Sequence, residues 1–340
     1  MYDKVKLVLR ELPLSYNWHE ILERTQEMVY WASGTGGAGK WRGRNIVVTN
    51  SYVSFEGSLP KSQYGHNIKN LKLKEVQRVI EELSEDLGVP MYDAEVENVE
   101  VANNFIMENP PVMYTDKLRS DRWFVTNKWN DTLYMDKIGC VRLKFYDKIK
   151  EAKEKDELPM NRGDLPENLL RYEVTFKKKE LKRIFKRPLT AEELWDKNVF
   201  MTFVVEWFGY YDDLIKLTGA CMNIDFSIFK SADDYVNWCI CTLNEGQNQP
   251  DYIKRVLFKN RPTPKGEDRK LHGQIQKKIT KALEWGKTHL PDSCLMSELN
   301  TKIENYVNWL IEQSEDGMSK EEFDRFIKQM EADLYPKSPK

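Results

Sequence analysis

In the stretch CVRLKFYDKIKE, residues 140–151, Arg142, Lys144, Tyr146 and Lys148 fall at every second position. A strand sends alternate side chains to opposite faces, so these four share one face and Val141, Leu143 and Phe145 the other. A phenol flanked by cations is chemically useful. Positive charge favours the phenolate and is expected to lower a pKa otherwise near ~10. A tyrosine so activated can attack a phosphodiester, and the lysines beside it suit a phosphate. Two further strand-like runs offer carboxylates. Glu100 sits between Val99 and Val101, and Glu173 shares its alternation with Arg171, opposite Leu170, Tyr172, Val174 and Phe176. On one sheet, the two glutamates would be hard oxygen ligands for Mg²⁺ or Mn²⁺, able to polarise a phosphoryl oxygen. Taken singly, the same residues describe a packed tyrosine and a surface Arg–Glu pair worth little.

The elements that must position these residues follow from periodicity. Apolar spacing predicts a helix over 17–32, a strand-like run over 45–57, a helix over 71–87 capped by Asn70 and closed by Gly88, and strands near 95–103, 140–148 and 169–177. GTGGAGKW, residues 34–41, matches part of a phosphate-binding loop. Its order is wrong: such a loop follows a strand and opens a helix, whereas here a helix is predicted before it and a strand after. Trp41 also stands where a magnesium-binding hydroxyl belongs, so an NTPase is set aside and a connecting loop is expected. SLPKSQYGHN, residues 58–67, reads as a second irregular loop. From residue 178 helical patterns dominate, ending in a capping-box helix that starts at Ser319. The fold class is therefore α+β. An N-terminal domain, residues 1–190, holds a largely antiparallel central sheet flanked by helices, and a mostly helical C-terminal region, residues 191–340, serves DNA binding or assembly.

The chain has 340 residues, 31% of them charged, and no run that approaches a membrane span. The N-terminus has no cleavable signal pattern. Five cysteines form no CxxC pair, which indicates neither a disulfide framework nor a zinc ribbon and fits a reducing cytoplasm. The net charge of −2 hides an uneven distribution. Residues 141–187 hold 15 Lys/Arg against nine Asp/Glu, and residues 254–281 hold ten against two. Two basic segments on an acidic background can form a phosphate-binding surface, or merely solvated faces.

Four segments, in order, resemble the replication initiators of filamentous phages, the gene II/X family of phage and plasmid replication proteins. They are GSLPKSQYGHN (57–67), VENVEVANNF (96–105), RLKFYDKIKE (142–151) and LLRYEVTFKKKELKRIF (169–185). The resemblance covers about residues 50–190. Glu100 stands where the family often has Asp, and no His-hydrophobic-His pair is present. The resemblance implies rolling-circle initiation: nicking and re-ligation of an origin through a 5′-phosphotyrosyl intermediate on Tyr146, assisted by Lys148. It implies Glu100, Glu173 and His66 as holders of Mg²⁺ or Mn²⁺. Arg142, Lys144, Lys61, Asn67 and Arg171 would contact DNA at the nick, and Lys277, Lys278 and Lys281 would contact duplex DNA. Implied partners are the double-strand origin, its single-stranded nick site and a host helicase and polymerase, with a homo-oligomer left open. Non-catalytic DNA binding and plasmid mobilisation are the alternatives.

Overall fold

The alternating runs become neighbouring strands of one sheet. The structure, a computed structural model, describes residues 1–12, 15–120, 124–158, 165–216, 277, 281 and 294–312. Its strands are β1 (Tyr2–Leu9), β2 (Gln26–Tyr30), β3 (Gly36–Trp41), β4 (Arg44–Thr49), β5 (Val53–Ser58), β6 (Glu95–Ile106), β7 (Leu118–Arg119), β8 (Val125–Trp129), β9 (Thr132–Lys137), β10 (Val141–Asp147), β11 (Leu169–Lys177) and β12 (Ile215–Lys216). Among the described residues, ten of them form one antiparallel sheet in the order β2-β3-β4-β5-β1-β6-β11-β10-β9-β8. The described helices are α1 (Trp18–Glu23), α2 (Leu59–Tyr64), α3 (Leu73–Leu87), α4 (Pro111–Thr115), α5 (Lys148–Glu154), α6 (Lys178–Phe185), α7 (Lys197–Asp212) and α8 (Cys294–Glu312). None of them is long and apolar enough to cross a membrane.

The two faces of the sheet differ as the alternation predicts. Val141, Leu143, Phe145, Leu170, Tyr172, Val174 and Phe176 are all buried in one apolar core. Helix α3 presses Val76, Val79, Ile80, Leu83 and Leu87 into that core, and Trp41 at the end of β3 donates to Asp86 on its outer side at 2.8 Å. Over β10 and β11 the cover is α7. Tyr172 stacks on Phe145 at 4.4 Å, meets Trp207 at 4.7 Å, and donates its hydroxyl to the Trp207 carbonyl. Met296, Leu299 and Ile303 of α8 join the same core. The opposite face carries the polar residues and is partly roofed by α2 and the loop after it.

Several local expectations are corrected. The helix predicted over 17–32 stops at Glu23, and Met28, Val29 and Tyr30 lie exposed on the edge strand β2. Their helical spacing is coincidental, because an edge strand needs no buried face. The run 45–57 is two strands joined by a turn, and the loop 58–67 contains α2, whose N-cap is Ser58. Asn70 does not cap α3. Its amide donates to Asn103 Oδ1 at 2.7 Å, while the Lys72 backbone N–H is satisfied by Glu75. The capping-box helix expected from Ser319 lies outside the described residues.

The glycine-rich stretch is strand β3, not a connecting loop. Its glycines permit close approach: a Cβ on Gly37 would collide with Leu22, and one on Gly39 with Thr25 Oγ1. They seat α1 and the β2 backbone against the sheet and cradle no phosphate. Gly39→Ala is accordingly expected to lower stability by about 1–3 kcal/mol through overpacking, read as a fall in the urea midpoint with an unchanged slope.

Candidate active site

The polar face is built by register. On β10 and β11, Lys144 lies opposite Glu173 and Tyr146 opposite Arg171. Across from β11, β6 sets Glu100 opposite Thr175 and Asn104 opposite Arg171. Directly opposed residues of an antiparallel pair share a face, so these side chains converge. The fourth contributor is Asp3. The pairing of β1 with β6 slips between Tyr2 and Val5, a bulge that turns Asp3 toward the polar residues. There Asp3 accepts from Ser58 Oγ at 2.5 Å, from Asn67 Nδ2 at 2.8 Å and from the Arg171 guanidinium.

Asp3, Glu100 and Glu173 are all buried, and each brings one carboxylate oxygen within 4.8 Å of the others. Lys144 Nζ bridges the two glutamates, at 2.8 Å from Glu173 and 3.3 Å from Glu100. Arg171, 1% exposed, donates Nε to Glu173 at 2.6 Å and its other nitrogens to the Asn67 carbonyl, Asn104 Oδ1 and Asp3. Three carboxylates thus face two cations. The imbalance falls on Glu100, whose pKa is pushed up to about 7 by burial and by the Glu173 charge. Burial works against Glu173 too, but Lys144 and Arg171 outweigh it and hold its pKa well below the carboxylate range. A buried set of three hard oxygen donors with unbalanced negative charge fits a divalent cation, with Lys144 as the resident counter-charge.

Tyr146, 8% exposed, donates its hydroxyl to Glu173 Oε1 at 2.5 Å. The surrounding cations do not lower its pKa as the sequence suggested. Burial and the Glu173 charge raise it well above the ordinary phenol value, Arg171 opposing them. The cations pair with the carboxylates first, and the phenol is left as a hydrogen-bond donor to a negative group. Lys148 follows at the first turn of α5. It is 1% exposed, its ammonium lies 6.0 Å from the Tyr146 ring centre, and it pairs with Glu151 at 2.5 Å. Burial, followed by the nearby Arg171, lowers its pKa.

Of the other residues singled out from sequence, Asn67 joins the cluster through Asp3 and Arg171. Lys61 on α2 is tied to Glu157. Arg142 is on the polar face but pairs with Asp136 at 2.8 Å. His66 stays outside the three-carboxylate group; its Nδ1 accepts from the Ile68 backbone at 3.3 Å and its ring leans on Tyr64. Lys277 and Lys281 are exposed, and Lys278 lies outside the described residues. Asp3 is the residue sequence reasoning missed. In MYDKVKLVL, Val5, Leu7 and Leu9 alternate visibly with Lys4 and Lys6, but unbroken alternation would put Asp3 on the apolar face.

No curated protein matches the chain. Among solved structures, a rolling circle replication initiator protein from Geobacillus stearothermophilus superposes at a TM-score of 0.35 with 10% identity, over 66% of this chain and 89% of that one. A likeness this loose fixes no residue equivalence. The family model for the N-terminal part of the gene II replication-associated protein matches residues 14–207, more than half of the 340 residues and including Glu100, Tyr146 and Glu173. The chain belongs to this family of phage and plasmid rolling-circle replication proteins.

Proposed function

We propose that the chain nicks and re-ligates DNA at a replication origin with Tyr146 as the nucleophile. The observation behind this reading is the Tyr146 hydroxyl donating to Glu173 at 2.5 Å, beside a buried three-carboxylate cluster and two buried cations. In the forward step Tyr146 Oη bonds to phosphorus while the P–O3′ bond breaks. The phenolic proton leaves toward its acceptor, Glu173 Oε1. Glu173, its pKa held low, does not keep that proton; the proton passes through solvent to the departing oxygen, which becomes a free 3′-OH, and the 5′-phosphoryl group stays on Tyr146 as an ester. Re-ligation reverses each transfer. One phosphoester replaces another in either direction, so no nucleotide is consumed.

Asp3, Glu100 and Glu173 would hold a divalent cation, Mg²⁺ or Mn²⁺, which supplies polarisation of a non-bridging phosphoryl oxygen. Lys144, displaced from the carboxylates, would turn to the phosphate, joined by Lys148. Lys61 and Arg142 would lie along the nicked strand, whereas Asn67 and Arg171, buried and bonded to Asp3, would hold the carboxylates in place rather than touch DNA. His66 would neighbour the phosphate rather than hold the metal. Exposed Lys277 and Lys281 remain the proposed duplex contacts, and the host helicase, the polymerase and self-association are further proposals that follow from the replication role.

The test is a covalent protein–DNA adduct formed on a labelled origin oligonucleotide with Mg²⁺ or Mn²⁺, mapped by peptide mass to the segment around Tyr146. DNA binding with no adduct under either metal would leave only a non-catalytic binder. Lys148→Ala should slow adduct formation roughly 10²–10³-fold without abolishing it, the usual scale for one preorganised charge at a transition state. Single-turnover rates on the same oligonucleotide measure it.

A further inference from the structure

The polar face continues past the nucleophile onto strands that the nicking chemistry does not use. β9 pairs with β10 so that Tyr134 lies opposite Lys144 and Asp136 opposite Arg142. β8 pairs with β9 so that Trp129 lies opposite Thr132, Asn127 opposite Tyr134 and Val125 opposite Asp136. The intervening Leu133 and Met135 are buried on the apolar side. Trp129, Asn127 and Val125 therefore look out from the same face as Tyr146, Lys144 and Arg142. Trp129 is 68% exposed and Val125, on the same face of β8, 59%.

The hairpin holds it firmly. Asn130 and Asp131 both have positive φ, the two-residue turn that matches strand twist. Asp131 pairs with Lys150 of α5 at 2.8 Å, tying the hairpin tip to the helix that carries Lys148. Two strand spacings of ~4.8 Å separate β8 from β10, so Trp129 stands ~10 Å across the sheet from the strand of the nucleophile. A stacked nucleic-acid strand advances ~3.4 Å per nucleotide, which makes this distance about three nucleotides, fewer where the strand is extended.

We propose that Trp129 is a stacking platform for an unpaired nucleobase within about three nucleotides of the scissile phosphate, a reading that rests on the proposed nicking function only in taking this face to hold DNA. The occupant is single-stranded nucleic acid because the exposed aromatic plane stands two strands from Tyr146 on the same face of a rolling-circle replication protein; Arg142 and Lys144 between them are already ion-paired, to Asp136 and to Glu100 and Glu173. Paired bases present no free plane to it. Stacking accepts any base, so Trp129 places the strand without reading its sequence, and Tyr146 selects the phosphate. It is a positioning residue, not a member of the reacting set.

The test separates base stacking from charge and from folding. Two fluorescent probes of equal length and charge are compared at one salt concentration with a chelator present: oligothymidylate and a fully abasic strand. Trp129→Ala should weaken oligothymidylate binding roughly 5–150-fold, leave the abasic strand within about twofold, and leave the melting temperature unchanged. Trp129→Phe should recover most of the loss. Equal effects on both probes, no effect on either, or no rescue by Phe overturns the proposal. No adduct chemistry is involved, so a failed Tyr146 assignment leaves this result standing, and a failed stacking result leaves Tyr146 untouched.

Discussion

Tyr146→Phe is expected to abolish the protein–DNA adduct while leaving a folded, DNA-binding protein. The substitution removes one oxygen and keeps the ring. The lost hydrogen bond leaves Glu173 with Lys144 and Arg171 still donating to it, so no buried charge is stranded. The stability cost should stay near the ~0.5–1.5 kcal/mol of one hydrogen bond. The chemical cost is total, because phenylalanine has no atom that can bond to phosphorus. Tyr172→Phe is the matched control. Its hydroxyl reaches the Trp207 carbonyl in the core, on the face away from the carboxylates, and its loss should affect stability and not nicking. A labelled oligonucleotide run on a denaturing gel reads both. An adduct formed by Tyr146→Phe at the wild-type rate would remove Tyr146 from the mechanism.

The largest stability loss is expected at Arg171. Its guanidinium is the buried counter-charge to Asp3 and Glu173 and also binds the Asn67 carbonyl and Asn104. Arg171→Met strands the buried Asp3 without a counter-charge and leaves Glu173 with Lys144 alone, a defect worth about 3–5 kcal/mol. Arg171→Lys keeps the charge but loses the planar fork and should fall between. Urea unfolding measures the ranking. Mg²⁺ or Mn²⁺ should raise the melting temperature of the wild type, and proportionally more that of Arg171→Met, because the ion replaces the missing positive charge in the native state alone. A variant as stable as the wild type without metal would show that the cluster is not electrostatically strained.

The strands with alternating faces were legible because alternation is what half-burial imposes. Tyr172 was assigned to the apolar face and Tyr146 to the polar one from spacing alone, and the register bears this out. Three things were not legible, for three physical reasons. Asp3 reaches the site only through a bulge, and a bulge leaves no trace in periodicity. The glycines of β3 respond to the backbone of β2 and the side chains of α1, contacts made outside the strand itself. The pKa of Tyr146 depends on which groups the cations reach first. Sequence listed the cations beside the phenol, but the buried carboxylates claim them.

The order of strands in the sheet has a consequence for how the molecule comes into being. Asp3 and Arg171 touch although they are 168 positions apart along the chain, because β1 lies beside β6, and β6 beside β11, at the middle of the sheet. A ribosome adding about 5–20 residues per second needs roughly 10–35 s to deliver the second after the first. Tyr146 is made 25 positions before Arg171, so for the last ~1–5 s of that interval the tyrosine-bearing strand β10 exists before its inner neighbour β11. The emerging polypeptide therefore holds Tyr146 with no Glu173 to receive its hydrogen bond and an incomplete set of carboxylates. Strand closure so distant in sequence is slow and cooperative. Under the proposed nicking function, competence to cut DNA should arrive only with the completed sheet, and partly made chains should not cut.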